Sequence, residues 1–560
     1  MASLNLRGVL VADFTIGPLA QAFEAGDHGW SLELHSTSGM NVIAPLLDGS
    51  SDLWSAKADF CVVWARPEAM SAAFAARVEH RPAEVEAAIA DVDVFCDAVL
   101  ACRDRGTAVV FVPTFSYPSR IRGHGPLDMT SDRGVGGMLL QMNAHLAARL
   151  AGVAGVYVFD TQRWMSGAEP ANPTMWYAAK VPYAPAVFQR AATDMLATLR
   201  ASRGLAKKLL VLDLDNTLWG GVVGEVGWEK LRLGGHDPIG EAYVDFQRAL
   251  KALTRRGVVL AVASKNDEAR ALAAIKSHPE MVLSQDDIAA WRINWQDKAA
   301  NIAELASELN LGLDAVVFID DNPVERARVR DALPKVLVPE WPVDVTRYAD
   351  ALADLRCFDS VTSSREDSER TRMYVAERER NRVRESVGSV DEWLHSLGTE
   401  VTVRLLDEDS FERTLQLINK TNQMNLRTRR VDADELRRWL GAEQRWMWTF
   451  RVADKFGDSG LVGVASLERD GDGGRVADFL LSCRVFNRHV EDAMLGVITA
   501  HAARVGLAGV AAEYVATEKN SVTLDFLKRS GLTAASPTRF LWQPPQPFTI
   551  PPSLKLLGQP

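Results

Sequence analysis

Leu209-Leu-Val-Leu-Asp-Leu-Asp-Asn-Thr-Leu-Trp-Gly-Gly221 is the stretch that decides the fold. Its first four residues are apolar and predict a short buried strand. The run then breaks into Asp213-x-Asp215-x-Thr217 and turns on Gly220 and Gly221. Two carboxylates at i and i+2, at the C-terminal mouth of an apolar strand, are costly to bury unless they bind a cation or do chemistry. A plain strand ending in a polar turn would look the same over these few residues, so the chain downstream has to separate the two readings.

Two further apolar runs end in polar residues. Residues 258–264 lead into Lys265-Asn-Asp, and 315–319 into Asp320-Asp-Asn-Pro323. Between them, Asn294-Trp-Gln-Asp-Lys298 opens a helical stretch at 299–309. The order is therefore Asp-x-Asp-x-Thr, a strand-terminal Ser264, Lys298, then a strand-terminal Asp pair. This set resembles the haloacid-dehalogenase superfamily of phosphotransferases. The resemblance implies Asp213 as nucleophile and Asp215 as general acid/base. It implies Thr217 and Ser264 as holders of phosphate oxygens, and Lys298 as the group that neutralises nucleophile and phosphate. Magnesium would be bound by Asp213, the backbone carbonyl of Asp215, and Asp320 with Asp321. Chemistry supports these roles separately. An ionised nucleophile approaches a phosphate dianion only where cations screen the two, and magnesium takes hard oxygen ligands. A carboxylate nucleophile splits one hard step into two, with an acid/base to protonate the leaving oxygen and then activate water. The gaps from Asp213 to Ser264 and from Ser264 to Lys298 are filled by the core itself and leave no room for a cap domain. A capless, open site suits a phosphate carried on something bulky, such as a protein-tethered chain.

The totals bound the rest. A chain of 560 residues predicts about three domains. Its 47% hydrophobic and 24% charged residues describe a soluble globular protein with ample core. The net charge of -10, with no basic tract standing out against it, argues against nucleic-acid binding. No apolar run approaches 18 residues, so no membrane span is expected. The first residues, Met-Ala-Ser-Leu-Asn-Leu-Arg-Gly, lack a signal-peptide core. Five cysteines without metal-ligand spacing suit a reducing, cytoplasmic setting. Cys61, Cys96, Cys102 and Cys357 read as packing residues.

Before the central segment, at 1–198, apolar strands at 8–14, 30–34, 60–64, 108–112 and 155–159 alternate with helical patterns, which predicts a parallel α/β sheet. Polar strand ends hold Asp13, Thr15, Ser116 and Asp160, where such sheets bind ligands. This order resembles an SGNH-hydrolase-like domain. The Gly-Asp-Ser nucleophile is absent, because the first strand runs into Asp13-Phe-Thr15-Ile-Gly17. The terminal Asp-x-x-His is absent too, because Asp160-Thr-Gln-Arg163 has no histidine. The expectation is a docking or scaffold role. The proline-bearing stretch 165–185 has linker composition.

The central segment spans 199–362. A charged run follows at 363–397 and predicts a solvated connecting helix. From 398 to 548 the strands lengthen, at 400–405, 446–453, 461–468, 476–485 and 509–517, with helices at 409–420, 432–440, 489–505 and 521–529. This part resembles the GNAT acyltransferase fold, an α+β domain. The stretch corresponding to its pyrophosphate loop is Arg488-His-Val-Glu491-Asp-Ala493, where Glu491 replaces a glycine and adds negative charge. That disfavours free coenzyme A, while a pantetheine arm remains acceptable. Cys483 sits at the end of an apolar strand before a helix, with Arg484, Arg488 and His489 near it. That setting lowers a thiol pKa, and an inert buried cysteine is the equal alternative. The chain after Pro537, ending in a proline-rich tail at 549–560, is expected to pack loosely or not at all.

The whole chain resembles the FkbH-like family of polyketide pathways. The strings that carry this are Leu212-Asp-Leu-Asp-Asn-Thr-Leu-Trp-Gly-Gly-Val-Val-Gly-Glu225, Asn294-Trp-Gln-Asp-Lys298, Phe318-Ile-Asp-Asp-Asn-Pro-Val-Glu-Arg326, Asn419-Lys-Thr-Asn-Gln423 and Leu481-Ser-Cys-Arg484. The resemblance implies a multidomain α/β enzyme that takes 1,3-bisphosphoglycerate, removes its 3-phosphate and loads the glyceryl unit as a thioester on an acyl carrier protein. On that reading Cys483 is the acyl nucleophile, with His489 assisting. The alternative is a plain magnesium phosphatase whose flanking domains bind a partner.

Overall fold

The computed structural model describes residues 4–26, 29–39, 41–54, 57–361, 370–386, 389–544 and 548–558; the side chain of Cys483 lies outside the described residues. The chain divides into two compact units, Met1–Arg200 and Ala201–Pro560.

The first unit is built on five parallel strands, β1 (Leu4–Ala12), β2 (Trp30–Ser38), β3 (Phe60–Trp64), β4 (Val109–Pro113) and β5 (Val156–Phe159), in the order β2-β1-β3-β4-β5. Successive residues of β1 and β3 alternate between two cores. Leu10, Val62 and Trp64 face one, and Val9, Val11, Cys61 and Val63 the other. Helices cover both faces, so the strands read as continuous apolar runs. The stretch at 165–185 is not a linker. It folds back onto this unit, burying Val181, Tyr183 and Ala184 and forming the helix Pro173–Ala179. Prolines there start helices and fix turns rather than loosening the chain. Cys61, Cys96 and Cys102 are buried as packing residues and Cys357 is half-buried.

The second unit contains two sheets. One has four parallel strands, β6 (Leu209–Leu212), β7 (Val259–Ser264), β8 (Ile288–Ile293) and β9 (Val316–Ile319), in the order β8-β7-β6-β9. Leu210, Leu212, Leu260, Val262, Val317 and Ile319 enter one core, and their neighbours Leu209, Val211, Val259, Ala261, Val316 and Phe318 the other. Each fully buried Leu, Val, Ile or Phe among them is worth roughly 1.5–3 kcal/mol. The strand quoted first is central, so its C-terminal end lies between those of β7 and β9.

The other sheet comprises β10 (Thr399–Leu405), β11 (Met424–Asn425), β12 (Arg445–Asp454), β13 (Gly457–Asp470), β14 (Gly473–Leu481), β15 (Val510–Glu513), β16 (Thr533–Ala534), β17 (Arg539–Trp542) and β18 (Leu554–Leu557). Its path is β16-β17-β15-β14-β13-β12-β10-β18, with β11 on β14. Three expectations are corrected here. The strand expected to reach Val485 stops at Leu481, and Cys483–Val485 is a single helical turn. The tail is not loose, because β18 pairs in parallel with β10 from Thr399 to Thr402. The connecting helix, Arg370–Ser386, is not a solvated rod. It buries Met373, Tyr374 and Arg380, and Arg380 makes two hydrogen bonds to Asp454, at 2.7 and 2.8 Å. Charge at helical spacing predicted exposure, but a paired guanidinium can be buried. The start of the expected linker, 363–369, lies outside the described residues. Among the described residues no helix is long and apolar enough to cross a membrane.

His501 lies against Trp446 and Trp448, with ring centroids 4.7 and 4.9 Å away. Burial, reinforced by Arg504, pushes its pKa down to about 4 from 6.5. The folded state thus holds His501 neutral, and its contribution to stability is complete above pH 6.5. It is lost as pH falls toward 4, because the unfolded chain takes up a proton that the fold refuses. Urea unfolding at pH 6.5 and 4.5 should show a loss of about 2 kcal/mol from this group. His501→Phe should flatten that dependence.

Candidate phosphoryl-transfer site

The sheet of β6 to β9 delivers four charged side chains to one place. Asp213 follows β6 directly, and its backbone N–H donates to the Ile319 carbonyl at 3.0 Å, locking the ends of β6 and β9 together. Asp320 and Asp321 follow β9. Lys298 opens the helix Lys298–Glu308, whose N-cap Asp297 accepts from the amides of Ala299 and Ala300. The Lys298 ammonium is buried. It lies 3.0 Å from Asp213 Oδ1 and 2.6 Å from Asp320 Oδ2. Ligand atoms of Asp213, Asp320 and Asp321 all fall within 4.8 Å of one another.

The electrostatics are strained in a specific direction. Burial pushes the Asp320 carboxyl up to about 6, and the neighbouring Asp213 charge adds to this against the pull of Lys298. Asp321 is raised by the same two causes. Burial works against the Lys298 charge, but Asp213 and Asp320 outweigh it and its pKa is raised. Three carboxylates facing one ammonium leave two negative charges. Asp213 Oδ1 is buried with no hydrogen bond, although Lys298 stands at ion-pair distance. A buried set of hard oxygen donors with that excess fits a divalent cation of the magnesium kind.

Asp215 points elsewhere. Its Oδ1 accepts from the Trp219 indole at 2.8 Å and the Val223 amide at 3.1 Å, and its Oδ2 from Asn266 at 2.8 Å. Burial raises its pKa in spite of these donors. A raised carboxyl held in one orientation has the properties of a proton carrier. Ser264 is buried at the end of β7, and its hydroxyl makes no hydrogen bond among the described residues. Thr217 departs from expectation. Its hydroxyl accepts from the Asp321 amide at 3.2 Å and donates to Asp321 Oδ1 at 3.3 Å, and the residue is wholly enclosed. Its side chain therefore braces Asp321 rather than facing a phosphate.

Sequence reading missed three supporting residues: Asn266 and Trp219, which hold Asp215, and Arg326. The buried Arg326 guanidinium donates to the carbonyls of Asp320 and Asp321, at 2.8 Å each. The first two sit close in sequence to motif residues, and Arg326 lies one turn into the helix Pro323–Ala332, so proximity was the available signal. Neither gap in the motif holds an inserted domain. Between Asp213 and Ser264 lie short turns and the helix Pro238–Arg255, and between Ser264 and Lys298 the helix Glu268–Ser277 and β8.

In the C-terminal part, His489 Nδ1 lies 2.9 Å from Asp492 Oδ2. Arg488 is not available to an anion or a thiolate. It is buried, bonded to Asp454 at 3.1 Å and to the Arg484 carbonyl at 2.9 Å. Glu491 is buried and paired with Arg529.

No family model matches the chain, and no curated protein matches it. Among solved structures, the N-terminal part of the protein BF1531 from Bacteroides fragilis, containing a phosphatase domain complexed with Mg, is similar. Identity is 27%, over 64% of this chain and 96% of that one, with a TM-score of 0.57. The acetyltransferase YncA from Salmonella typhimurium, solved with acetyl-CoA, covers 26% of this chain and 95% of its own at 16% identity and TM-score 0.20. The ribosomal-protein-S18-alanine N-acetyltransferase of Escherichia coli covers 25% and 89% at 9% identity and TM-score 0.20. Scores that low carry no argument. The first likeness, with the geometry above, supports a phosphatase domain of the haloacid-dehalogenase type in this chain.

Proposed function

We propose that the protein is a glyceryl-carrier-protein synthase of the FkbH-like kind, acting in the cytoplasm. The observation that carries its phosphatase half is the buried cluster of Asp213, Lys298, Asp320 and Asp321 at an uncapped sheet edge. Asp213 attacks the phosphorus of the 3-phosphate ester, and Asp215 gives a proton to the departing hydroxyl. Asp215 then takes a proton from the water that hydrolyses the aspartyl phosphate. Lys298 screens Asp213 from the phosphate, and Ser264 offers its hydroxyl to a phosphate oxygen. Magnesium, held by Asp213, the Asp215 carbonyl, Asp320 and Asp321, would neutralise charge on the transferring group. An uncapped edge admits a substrate carried on a second protein.

Acyl transfer belongs, on this proposal, to a GNAT-like C-terminal domain. The Cys483 thiolate attacks the acyl carbon of 1,3-bisphosphoglycerate. A C–S bond forms and inorganic phosphate leaves. The carrier's pantetheine thiol then displaces Cys483. His489, oriented by Asp492, takes the proton. The SGNH-like N-terminal domain is proposed to be non-hydrolytic.

The test is to incubate the protein with 1,3-bisphosphoglycerate, magnesium and a phosphopantetheinylated carrier, and to weigh the carrier. A glyceryl adduct is expected. Cys483→Ala should abolish loading while hydrolysis of a small phosphate ester persists; an unchanged loading rate would remove Cys483 as nucleophile. One observation favours a second reading, a magnesium phosphatase with partner-binding domains. Arg488 and Glu491 are both engaged internally where an acyl-carrier phosphate would be held. That reading predicts turnover of small esters and no carrier adduct.

A further inference from the structure

The N-terminal unit holds a cavity of about 490 Å³ that the reaction above does not use. It lies past the C-terminal ends of the strands. Arg66 and Glu68 follow β3, Ser116 and Arg120 follow β4, and Trp176 and Tyr183 follow β5. Ligands of open parallel sheets bind outside the carboxyl ends of the strands, and the volume suits a small organic molecule.

The lining indicates what kind. Three cations surround the Trp176 ring: Arg66 at 4.5 Å, Lys180 at 5.1 Å and Arg120 at 5.7 Å. Arg66 is neutralised by Asp13, at 2.7 Å, and Glu68, at 3.1 Å. Arg120 and Lys180 make no ion pair among the described residues; the Arg120 guanidinium donates to the Pro173 carbonyl at 3.2 Å. Glu169 is the lining carboxylate not engaged with Arg66; the three cations balance Asp13, Glu68 and Glu169 in number, and Arg120 is the lining cation that no carboxylate pairs among the described residues. Deeper in, the Ser116 and Tyr183 hydroxyls lie 2.9 Å apart, and both residues are 6% exposed. Only one proton can lie between two hydroxyls. The other has no acceptor among the described residues, which is costly for a buried donor. Among the described residues no histidine lines the cavity, and a serine nucleophile needs such a base.

We propose that this cavity binds, without hydrolysing, an organic anion with an apolar body and a carbonyl acceptor. Arg120 holds the carboxylate or phosphate head, the Trp176 ring packs on the body, and the Ser116–Tyr183 pair donates to the carbonyl. The inference does not depend on the phosphatase reading.

Calorimetric titration of the full chain tests it with three probes: 6-acetamidohexanoate, pantetheine 4′-phosphate, and the neutral N-(6-hydroxyhexyl)acetamide. At least one anion should bind one per chain, about tenfold or more tighter than the neutral probe. Preference for one anion tells a carboxylate ligand from a phosphate one. Arg120→Ala and Ser116→Ala should each weaken that anion about tenfold, with hydrolysis of p-nitrophenyl phosphate unchanged. Absence of binding by both anions, equal binding of the neutral probe, or unchanged affinity in Arg120→Ala overturns the proposal.

Discussion

Asp213→Asn should separate the two halves of the proposed reaction. Phosphate-ester hydrolysis should fall to background, because an amide offers no anionic oxygen to attack phosphorus and the aspartyl phosphate cannot form. The fold should survive. Asn is nearly isosteric, and Asp213's backbone bond to Ile319 is untouched. One of the buried negative charges that raise Asp320 and Asp321 also disappears. Acyl loading, assigned to a different part of the chain, should continue. The carrier should therefore accumulate a phosphoglyceryl adduct, heavier than the wild-type product by one phosphate. Intact-mass measurement of the carrier reads both outcomes. A carrier that stays unmodified with this variant would show that dephosphorylation must precede transfer, or that loading happens at Asp213's own site. Either result would end the division of labour.

The phosphatase-like site was largely legible in the sequence because its residues sit at strand ends. An apolar run that stops at a charged residue reports both the strand and the mouth of the sheet, so Asp213, Ser264 and Asp320 could be placed without coordinates. Lys298 was placeable because it opens a helix. What was not legible was which partner each side chain takes. Thr217 looked like a phosphate ligand by position, yet its hydroxyl closes on Asp321. Asn266 and Arg326 looked like ordinary turn and helix residues, because hydrogen bonds across strands leave no periodic trace. The same limit explains the misread linkers. The prolines near 170–185 and the Arg/Glu run near 370–386 have the composition of exposed chain. Tyr183, Tyr374 and the Arg380–Asp454 pair bury both segments, through tertiary contacts that composition does not encode.

Lys298→Met should change stability as much as activity. The ammonium stands between Asp213 and Asp320 with almost no solvent access, so its removal leaves buried carboxylates uncompensated. Breaking a buried ion pair from one side costs about 3–5 kcal/mol. The cost should depend on pH and on magnesium, and the signs follow from Asp320. Its folded pKa, already about 6 against 3.8, rises further without Lys298. A carboxyl with a raised folded pKa contributes its stability below the unfolded value and loses it as pH rises through the folded one. The gap between variant and wild type should thus be small near pH 4 and widen above pH 6. Magnesium binds only the folded arrangement of carboxylates and should stabilise the variant through mass action. Because the variant has one more uncompensated negative charge, its thermal midpoint should rise more on magnesium addition than that of wild type. Equal midpoints for both proteins at pH 8 without magnesium would mean that the buried charges are already relieved by water. The electrostatic account of the site would then fail together with the inference that a divalent cation belongs there.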